Sequence, residues 1–194
     1  MSSTGKNDPS RELSRETLAS GRFLNLQSIR WKDARGSERV WEMAARNGEC
    51  RAVLLISWLM PSNRLLLISQ YRPPAQGLVI EFPAGLIDGS ETPEIAALRE
   101  LKEETGYHGR VVRLLPAGYN TPGLSSERTH VVLVEIDETL PENIYPVPGL
   151  GEDEEISVLL LRRAEVPDYL ARAMDSGLQF DSKVLAYLAG LVSE

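Results

Sequence analysis

The stretch Gly85–Tyr107 has the sequence GLIDGSETPEIAALRELKEETGY, a loop followed by a predicted helix that is rich in acidic residues. Thr92 has a side chain suited to a helix N-cap, Pro93 suits the first helical position, and Gly106 can adopt the left-handed conformation that often ends a helix. These signals predict a helix from Pro93 to Thr105.

Three carboxylates of this helix are expected to converge near one side, because Glu100 lies three residues before Glu103 and four before Glu104. Acidic groups near a helix C-terminus oppose the helix dipole, so a structural helix would gain from basic residues there. The pattern favours a bound cation over a solvated acidic face, and oxygen ligands suit Mg²⁺ or Mn²⁺. The apolar residues expected to pack beneath the helix are Ile95, Leu98 and Leu101.

The spacing of the whole stretch is Gly85, five residues, Glu91, seven residues, and then Arg99–Tyr107, which reads RELKEETGY. It matches the Nudix box, G-x5-E-x7-R-E-U-x-E-E-x-G-U with U apolar, at every specified position. A chance match has a frequency of about one in a hundred million per start position. The chain therefore resembles the Nudix hydrolases, which implies hydrolysis of a nucleoside diphosphate linked to another moiety, with divalent metal held by the box helix.

The length and composition of the chain limit the classes of protein to which it can belong. The chain has 194 residues, of which 42% are hydrophobic, and this suits one compact domain with appended elements. A net charge of −7 argues against non-specific binding to nucleic acid. Cys50 is the single cysteine, and no apolar run is long enough to span a membrane or marks a secretory signal, so we expect a cytoplasmic protein. His108 and His130 are expected to have surface or packing roles.

The chain divides on its sequence pattern into three parts: residues 1–16 as a flexible tail, 17–48 as an N-terminal β hairpin region, and 49–194 as the Nudix hydrolase domain. The hairpin is predicted from apolar residues in 23–31 and 39–46 on either side of a turn at 33–37.

The rest of the chain alternates between β-rich runs and two C-terminal helices. Strands are predicted at 51–60, 64–71, 78–82, 110–115, 130–135 and 156–161, and helices at 167–174 and 181–192. The last strand is almost wholly apolar and is expected to be buried on both faces. The predicted fold class is α+β, a Nudix fold in which a mixed curved sheet lies in an α/β/α sandwich, with a small N-terminal antiparallel β appendage.

Segments outside the box narrow the resemblance to the ADP-ribose or ADP-sugar pyrophosphatase branch: Gln70–Arg72, Glu81–Ala84 and Thr121–Ser125. This branch resemblance implies hydrolysis of ADP-ribose to AMP and ribose 5-phosphate. It also implies a homodimer that exchanges its N-terminal strands and uses them to bind the base.

The resemblance assigns six substrate-binding positions. Aromatic stacking of the adenine matches Phe23 and Trp41, although animal members of the branch have tryptophan at the first position, so stacking is expected to weaken. The remaining positions are Glu42 and Arg46 beside the base, Arg72 toward the phosphates, and Leu124. Strand alternation puts Trp41 and Arg46 on opposite faces, so both reach one ligand only through a bulge or a dimer partner.

The resemblance also implies the metal ligands and the base. Two or three Mg²⁺ ions, with Mn²⁺ as the alternative, are expected on Glu100, Glu104 and the Ala84 carbonyl, with Glu103 close by. Gly85 is expected to let the backbone turn so that this carbonyl faces the metal, and Arg99 to orient a box carboxylate. The general base is expected at Glu154 or Glu152, with Glu154 preferred.

Alternative functions remain open at this point. A stacking site tolerates other purines, so a broader nucleoside diphosphate sugar hydrolase acting on GDP-mannose or ADP-glucose is the second hypothesis. A non-catalytic ligand sensor is the third, and it is disfavoured because every box carboxylate is present. An mRNA-decapping role is disfavoured by the absence of a basic path for RNA.

Overall fold

The computed structural model describes residues 10–48, 51–151 and 155–192, and the chain divides into two units. The first unit contains the N-terminal residues through Arg51 together with Gly118–Thr129, and the second contains Ala52–Ala117 and His130–Glu194. The sequence division placed residues 118–129 in the Nudix domain, whereas the structure groups this segment with the N-terminal strands.

The N-terminal unit is built on a three-stranded antiparallel sheet of β1 (Arg11–Ser20), β2 (Leu24–Lys32) and β3 (Glu38–Arg46), in that spatial order. The predicted hairpin corresponds to β2 and β3. Its turn is held by the Asp33 carboxylate, which accepts from the backbone N–H groups of Arg35 and Ser37, each at 2.9 Å.

Strand β1 corrects the predicted flexible tail, because it begins at Arg11 and not after residue 16. Every residue of β1 is exposed, so no burial pattern marks it in the sequence. Its backbone pairing with β2 runs from Arg11 to Ser20 with two register shifts. The strand is therefore defined by its neighbour and not by a hydrophobic face of its own.

The second, larger sheet has nine strands among the described residues. They are β4 (Arg51–Met60), β5 (Arg64–Arg72), β6 (Gly77–Glu81), β7 (Ala84–Leu86), β8 (Arg110–Leu114), β9 (Gly118–Tyr119), β10 (Arg128–Asp137), β11 (Ile156–Arg162) and β12 (Gln179–Phe180). The order is β12-β6-β5-β4-β10-β8, with β11 paired to β5, β7 to β4 and β9 to β10. The sheet is mixed, since β12 runs parallel to β6 and the β5–β6 pair is antiparallel.

In the described part of the chain, four helices accompany this sheet: α1 (Pro93–Thr105), α2 (Pro141–Ile144), α3 (Val166–Ser176) and α4 (Ser182–Val192). Alternate residues of β4 face opposite sides, so Val53 packs in a cluster with Leu101 of α1 while Leu54 packs in a cluster with Val166 and Leu188. Helices therefore cover both faces of the sheet, which confirms the predicted α/β/α sandwich. No helix in the described ranges is long and apolar enough to cross a membrane.

Helix α1 has the predicted bounds, but part of its predicted buried face is wrong. The Thr92 hydroxyl accepts from the Ile95 N–H, and Gly106 ends the helix with φ +74°. Ile95 and Leu98 are exposed, whereas Ala97, Leu101 and Glu104 form the buried stripe at helical spacing.

Strand β11 is also less buried than its apolar sequence predicts. Ser157 and Val158 are exposed, and among the described strands β11 pairs with β5 alone. A strand with a single partner lies at a sheet edge, where burial on both faces does not follow from hydrophobicity.

Candidate active site

Glu100, the first predicted metal ligand, lies where the middle of α1 approaches the start of β7. A Cβ added to Gly85 would lie 1.9 Å from Oε1 of Glu100, so the carboxylate occupies the space that any side chain would fill. Gly85 lies within β7 and does not have the positive φ of a turn. The predicted turning role of Gly85 is therefore wrong, and close approach of the carboxylate to the backbone is the reason for glycine.

The second predicted ligand, Glu104, is one turn further along α1 and is buried. Its Oε2 accepts a hydrogen bond of 3.0 Å from the Ala84 N–H. The structure thus brings Ala84, Gly85, Glu100 and Glu104 together at the junction of β7 and α1.

Arg99 links the remaining acids of the box. Its guanidinium donates to both oxygens of Glu91, at 3.0 and 2.9 Å, and to the Leu86 carbonyl at 2.9 Å. It also donates to Glu100 at 2.8 Å and Glu103 at 3.0 Å. Arg99 therefore orients box carboxylates, as predicted.

The charges of this cluster suit a cation. Burial raises the pKa of the Glu100 carboxyl, although the hydrogen bond from Arg99 acts in the opposite direction. The hydrogen bonds from Arg99 and the Asp88 N–H lower the pKa of Glu91. A divalent ion would favour the ionised form of a partly buried carboxylate such as Glu100, so the donor set fits an oxygen-liganded metal.

The side chains do not form a complete metal cage as they stand. In the described part of the chain, no three histidine, cysteine or acidic residues are grouped so that they could hold a metal ion. Glu100 and Glu103 both face Arg99, and Glu104 faces the Ala84 N–H.

The predicted phosphate ligand Arg72 lies at the end of β5 and forms a two-pronged ion pair with Glu81 of β6. Its Nε lies 3.0 Å and its Nη2 2.6 Å from Glu81 Oε2. The hydrogen bond that Arg72 donates to Glu81 raises the pKa of Arg72, and the charges of Glu104 and Asp181 contribute in the same direction. Glu81 was not predicted as a side-chain partner. The β5–β6 register pairs Arg72 with Gly77 and Glu81 with Ile68, so the Arg72 side chain reaches along β6 to Glu81.

The predicted bases Glu152 and Glu154 lie outside the described residues. The chain just before them is described, and the Gly149 N–H donates to the carbonyl of Glu103 at 2.8 Å.

Comparison with known proteins identifies the family of this chain. The model of the NUDIX domain matches residues 49–179. The chain belongs to the Nudix family. It is a Nudix hydrolase, and such enzymes generally use divalent metal ions.

Similar proteins have related activities in their names. The chain is 36% identical over 179 residues to the ADP-ribose pyrophosphatase of Saccharomyces cerevisiae, covering 88% of this chain and 78% of that protein. It is 37% identical over 182 residues to the ADP-sugar pyrophosphatase of Mus musculus, covering 90% and 84%. A crystal structure of an ADP compounds hydrolase superposes with a TM-score of 0.66 at 25% identity, covering 87% of this chain and 86% of that one.

The N-terminal unit of this Nudix hydrolase presents the residues predicted to bind the base. Phe23 is 67% exposed and lies 5.0 Å from the Arg22 guanidinium, and Trp41 is 49% exposed. The Trp41 indole N–H donates to the Gly123 carbonyl at 3.0 Å, and the neighbouring Leu124 is exposed. Trp41 is therefore not a core tryptophan, since its ring is half in solvent.

Strand β3 does not contain the bulge that would bring Trp41 and Arg46 to one face. Its pairing with β2 is continuous from Leu24 opposite Arg46 to Lys32 opposite Glu38. Glu42 lies opposite Ser28 in this register. Of the two predicted ways to unite Trp41 and Arg46 on one ligand, a dimer partner is the one that remains.

The segment Gly118–Thr129 connects the two faces of β3 in a way that was not predicted. The Ala44 N–H donates to the Leu124 carbonyl at 2.9 Å. Trp41 bonds to Gly123, and Arg46 pairs with Glu127 at 2.7 Å. No local pattern in the sequence identifies Glu127 as a partner of Arg46, because the two residues are far apart in the chain.

Proposed function

We propose that this Nudix hydrolase splits the pyrophosphate of ADP-ribose into AMP and ribose 5-phosphate in a reaction that requires Mg²⁺. The observation that supports the proposal best is the placement of Glu100 at Gly85 and Glu104 at Ala84, beside the other box acids that Arg99 holds. The relatives named ADP-ribose and ADP-sugar pyrophosphatase give the substrate class.

The metal would be held by Glu100, Glu104 and the Ala84 carbonyl, with Glu103 contributing to both metal binding and catalysis. Two or three Mg²⁺ ions are proposed, with Mn²⁺ as the alternative. When bound, such ions supply charge neutralisation at the pyrophosphate and lower the pKa of coordinated water. Arg72 would clamp phosphate oxygens through its planar fork, which Glu81 holds in place.

The general base is proposed to be Glu154, with Glu152 as the alternative. Glu154→Gln is expected to lower kcat about 10²-fold with KM little changed, as for a lost proton acceptor. Steady-state kinetics on Glu154→Gln and Glu152→Gln compare the two positions directly. Near-normal kcat for Glu154→Gln would move the base to Glu152.

The adenine is proposed to stack between Phe23 and Trp41, with Glu42, Arg46 and Leu124 around it. Two copies of the chain would exchange N-terminal strands, so that each base site uses residues from both. The exposed aromatic rings and the continuous β2–β3 register support this assignment.

Product analysis of the purified protein tests the proposed substrate. ADP-ribose, ADP-glucose and GDP-mannose are compared with and without Mg²⁺, and nucleotide products are separated by chromatography. Fastest release of AMP from ADP-ribose, only with metal, is expected. Faster turnover of another nucleotide sugar would show that ADP-ribose is not the preferred substrate, although the proposed pyrophosphate hydrolysis would stand. If none of the three nucleotide sugars is hydrolysed, the result favours a ligand sensor.

A further inference from the structure

The edge of β3 that does not pair with β2 is covered by a segment from much later in the chain, Thr121–Glu127. The Ala44 N–H donates to the Leu124 carbonyl at 2.9 Å, and Ala44 forms a parallel bridge with Ser125. The segment is closed on itself, because the Leu124 and Ser125 N–H groups donate to the Thr121 carbonyl at 2.8 and 2.9 Å. A segment at a strand edge lies beside both faces of the strand, so it can contact side chains from either face.

At the end of this segment, Glu127 holds Arg46, the last residue of β3. The Arg46 Nε donates to Oε2 of Glu127 at 2.7 Å, and the two side chains are 45% and 24% exposed, respectively. A charge-assisted hydrogen bond of this kind fixes the guanidinium plane more firmly than a neutral one does. The arginine is therefore oriented before any ligand binds, although nearly half of its side chain is in solvent.

Glu127 is itself held at both carboxylate oxygens. While Oε2 accepts from Arg46, Oε1 accepts from the Asn120 side-chain amide at 2.6 Å. The pairing of β9 with β10 brings Asn120 and Glu127 face to face. The Asn120 N–H donates to the Glu127 carbonyl at 3.2 Å, and the Glu127 N–H donates to the Ser125 hydroxyl at 3.0 Å. The carboxylate thus has a defined position from which to hold the arginine.

A second arginine–carboxylate pair in the same sheet provides a comparison. Nη2 of Arg30 donates to Oε2 of Glu38 at 2.6 Å, and both side chains are more than half exposed. Exposed pairs of this kind contribute little to stability. Glu38 begins β3 whereas Arg46 ends it, so this pair has the same chemistry at the far end of the strand.

We infer that Glu127 is a positioning residue for recognition of the base. By holding Nε of Arg46, it sets the plane of the guanidinium, whose N–H donors suit the ring nitrogens of a purine. An orientation fixed in the unbound protein lowers the entropy lost on binding. Loss of Glu127 should therefore weaken ligands that carry a base and spare those that do not. This inference rests on the proposed function, which puts Arg46 beside the adenine.

Calorimetric titration of the full chain with AMP and with ribose 5-phosphate tests the inference, because only AMP carries the base. Glu127→Gln keeps the size of the side chain and removes its charge. It is expected to raise the Kd of AMP and KM for ADP-ribose about fivefold, with kcat and the Kd of ribose 5-phosphate within about twofold. Glu38→Gln, which removes the charge of the exposed pair with Arg30, is the control and should match wild type in all four quantities.

A double variant separates positioning from direct contact with the ligand. If Glu127 acts through Arg46, adding Glu127→Gln to Arg46→Ala leaves the Kd of AMP where Arg46→Ala alone puts it. If Glu127→Gln does not fold, Asn120→Ala removes the amide that holds Oε1 of Glu127 and must weaken AMP in the same selective way.

Three results would overturn the inference. An unchanged Kd of AMP in Glu127→Gln, where Arg46→Ala weakens AMP, would show that the arginine needs no support. Equal weakening of AMP and ribose 5-phosphate would assign Glu127 to folding of the N-terminal unit. Additive losses in the double variant would give Glu127 a contact of its own with the ligand.

Failure of the proposed function would be seen separately. If wild type hydrolyses no nucleotide sugar, the proposed reaction is refuted, whereas the AMP titrations need no turnover and still decide the role of Glu127. If AMP does not bind to wild type, or binds as tightly to Arg46→Ala, the proposed base site is refuted and the inference with it.

Discussion

At the scale of single residues, one acid, Glu81, fixes the orientation of Arg72, the proposed phosphate ligand. Glu81 is mostly buried and accepts from two guanidinium nitrogens, so in the proposed role the outer edge of the fork would meet phosphate oxygens. An orientation fixed before binding lowers the entropy lost when a ligand is bound.

Arg72→Lys is expected to raise KM for ADP-ribose about tenfold, with kcat within about threefold, because lysine keeps the charge but not the planar fork. Glu81→Gln should raise KM in the same direction by a smaller factor. Glu135→Gln, in the exposed pair with Arg110, is the control and should leave KM unchanged. Steady-state kinetics decide the matter, and an unchanged KM for Arg72→Lys would remove Arg72 from the phosphate site.

At the scale of secondary-structure elements, the turn between β4 and β5 is tied to the end of β10 by one carboxylate. Glu138 accepts from the Ser62 N–H at 2.6 Å and the Ser62 hydroxyl at 2.9 Å, and it also pairs with Arg64. Burial alone would raise the pKa of Glu138, but the hydrogen bonds from Arg64 and Ser62 hold that pKa below its ordinary value.

Glu138→Gln is expected to lower the free energy of unfolding at pH 7 by about 1–2 kcal/mol. Because the folded pKa is lowered, this stability is present above the unfolded value of about 4.3 and is lost as the pH falls through the folded pKa. The difference between wild type and variant should therefore shrink below about pH 4.

Urea unfolding from pH 3 to 8 measures this dependence. Glu142→Gln, at an exposed position of α2, is the control and should follow wild type throughout. A deficit in Glu138→Gln that stays constant down to pH 3 would show that the ionised carboxylate is not the source of the stability.

At the scale of the whole molecule, the N-terminal unit leaves much apolar surface uncovered. Leu13, Leu18 and Leu26 of its sheet are exposed together with Phe23 and Trp41. A three-stranded sheet with this exposure gains free energy by meeting another surface, and a second copy of the chain is the proposed one.

Subunit mixing tests whether Phe23 of one copy and Trp41 of the other share a base site. Phe23→Ala and Trp41→Ala each damage every site of their own homodimer. In a mixed dimer with such sharing, one site carries both defects and the other carries none.

Random mixing makes about half of the dimers mixed, so about a quarter of all sites should regain wild-type KM for ADP-ribose. Steady-state kinetics after mild unfolding and refolding of the two variants together provide the measurement. The control is the same treatment of each variant alone. A mixture whose kinetics equal the average of the two separate variants would place both rings in the same subunit.

Much of this architecture follows from local patterns. The bounds of α1 were predicted correctly from three local signals: the cap at Thr92, the proline after it and the glycine at 106. Each of these residues acts on the backbone of its own turn. A nearly continuous apolar run identifies β4, since two helical layers bury both of its faces. Strand β1 was not predicted from the sequence, because all of its residues are exposed and only its pairing with β2 defines it.

By itself, the sequence determined the family and the reaction class, and it predicted the box acids that are proposed to hold the metal, because the box places them on one helix at short spacing. Tertiary structure alone decided which groups the acids meet. In the box, Glu100 lies over Gly85 and Glu104 on Ala84. Outside the box, Glu81 pairs with Arg72 and Glu127 with Arg46. The physical reason is range. A cap or a helical repeat acts within a few residues, whereas these contacts join segments that only the folded chain brings together.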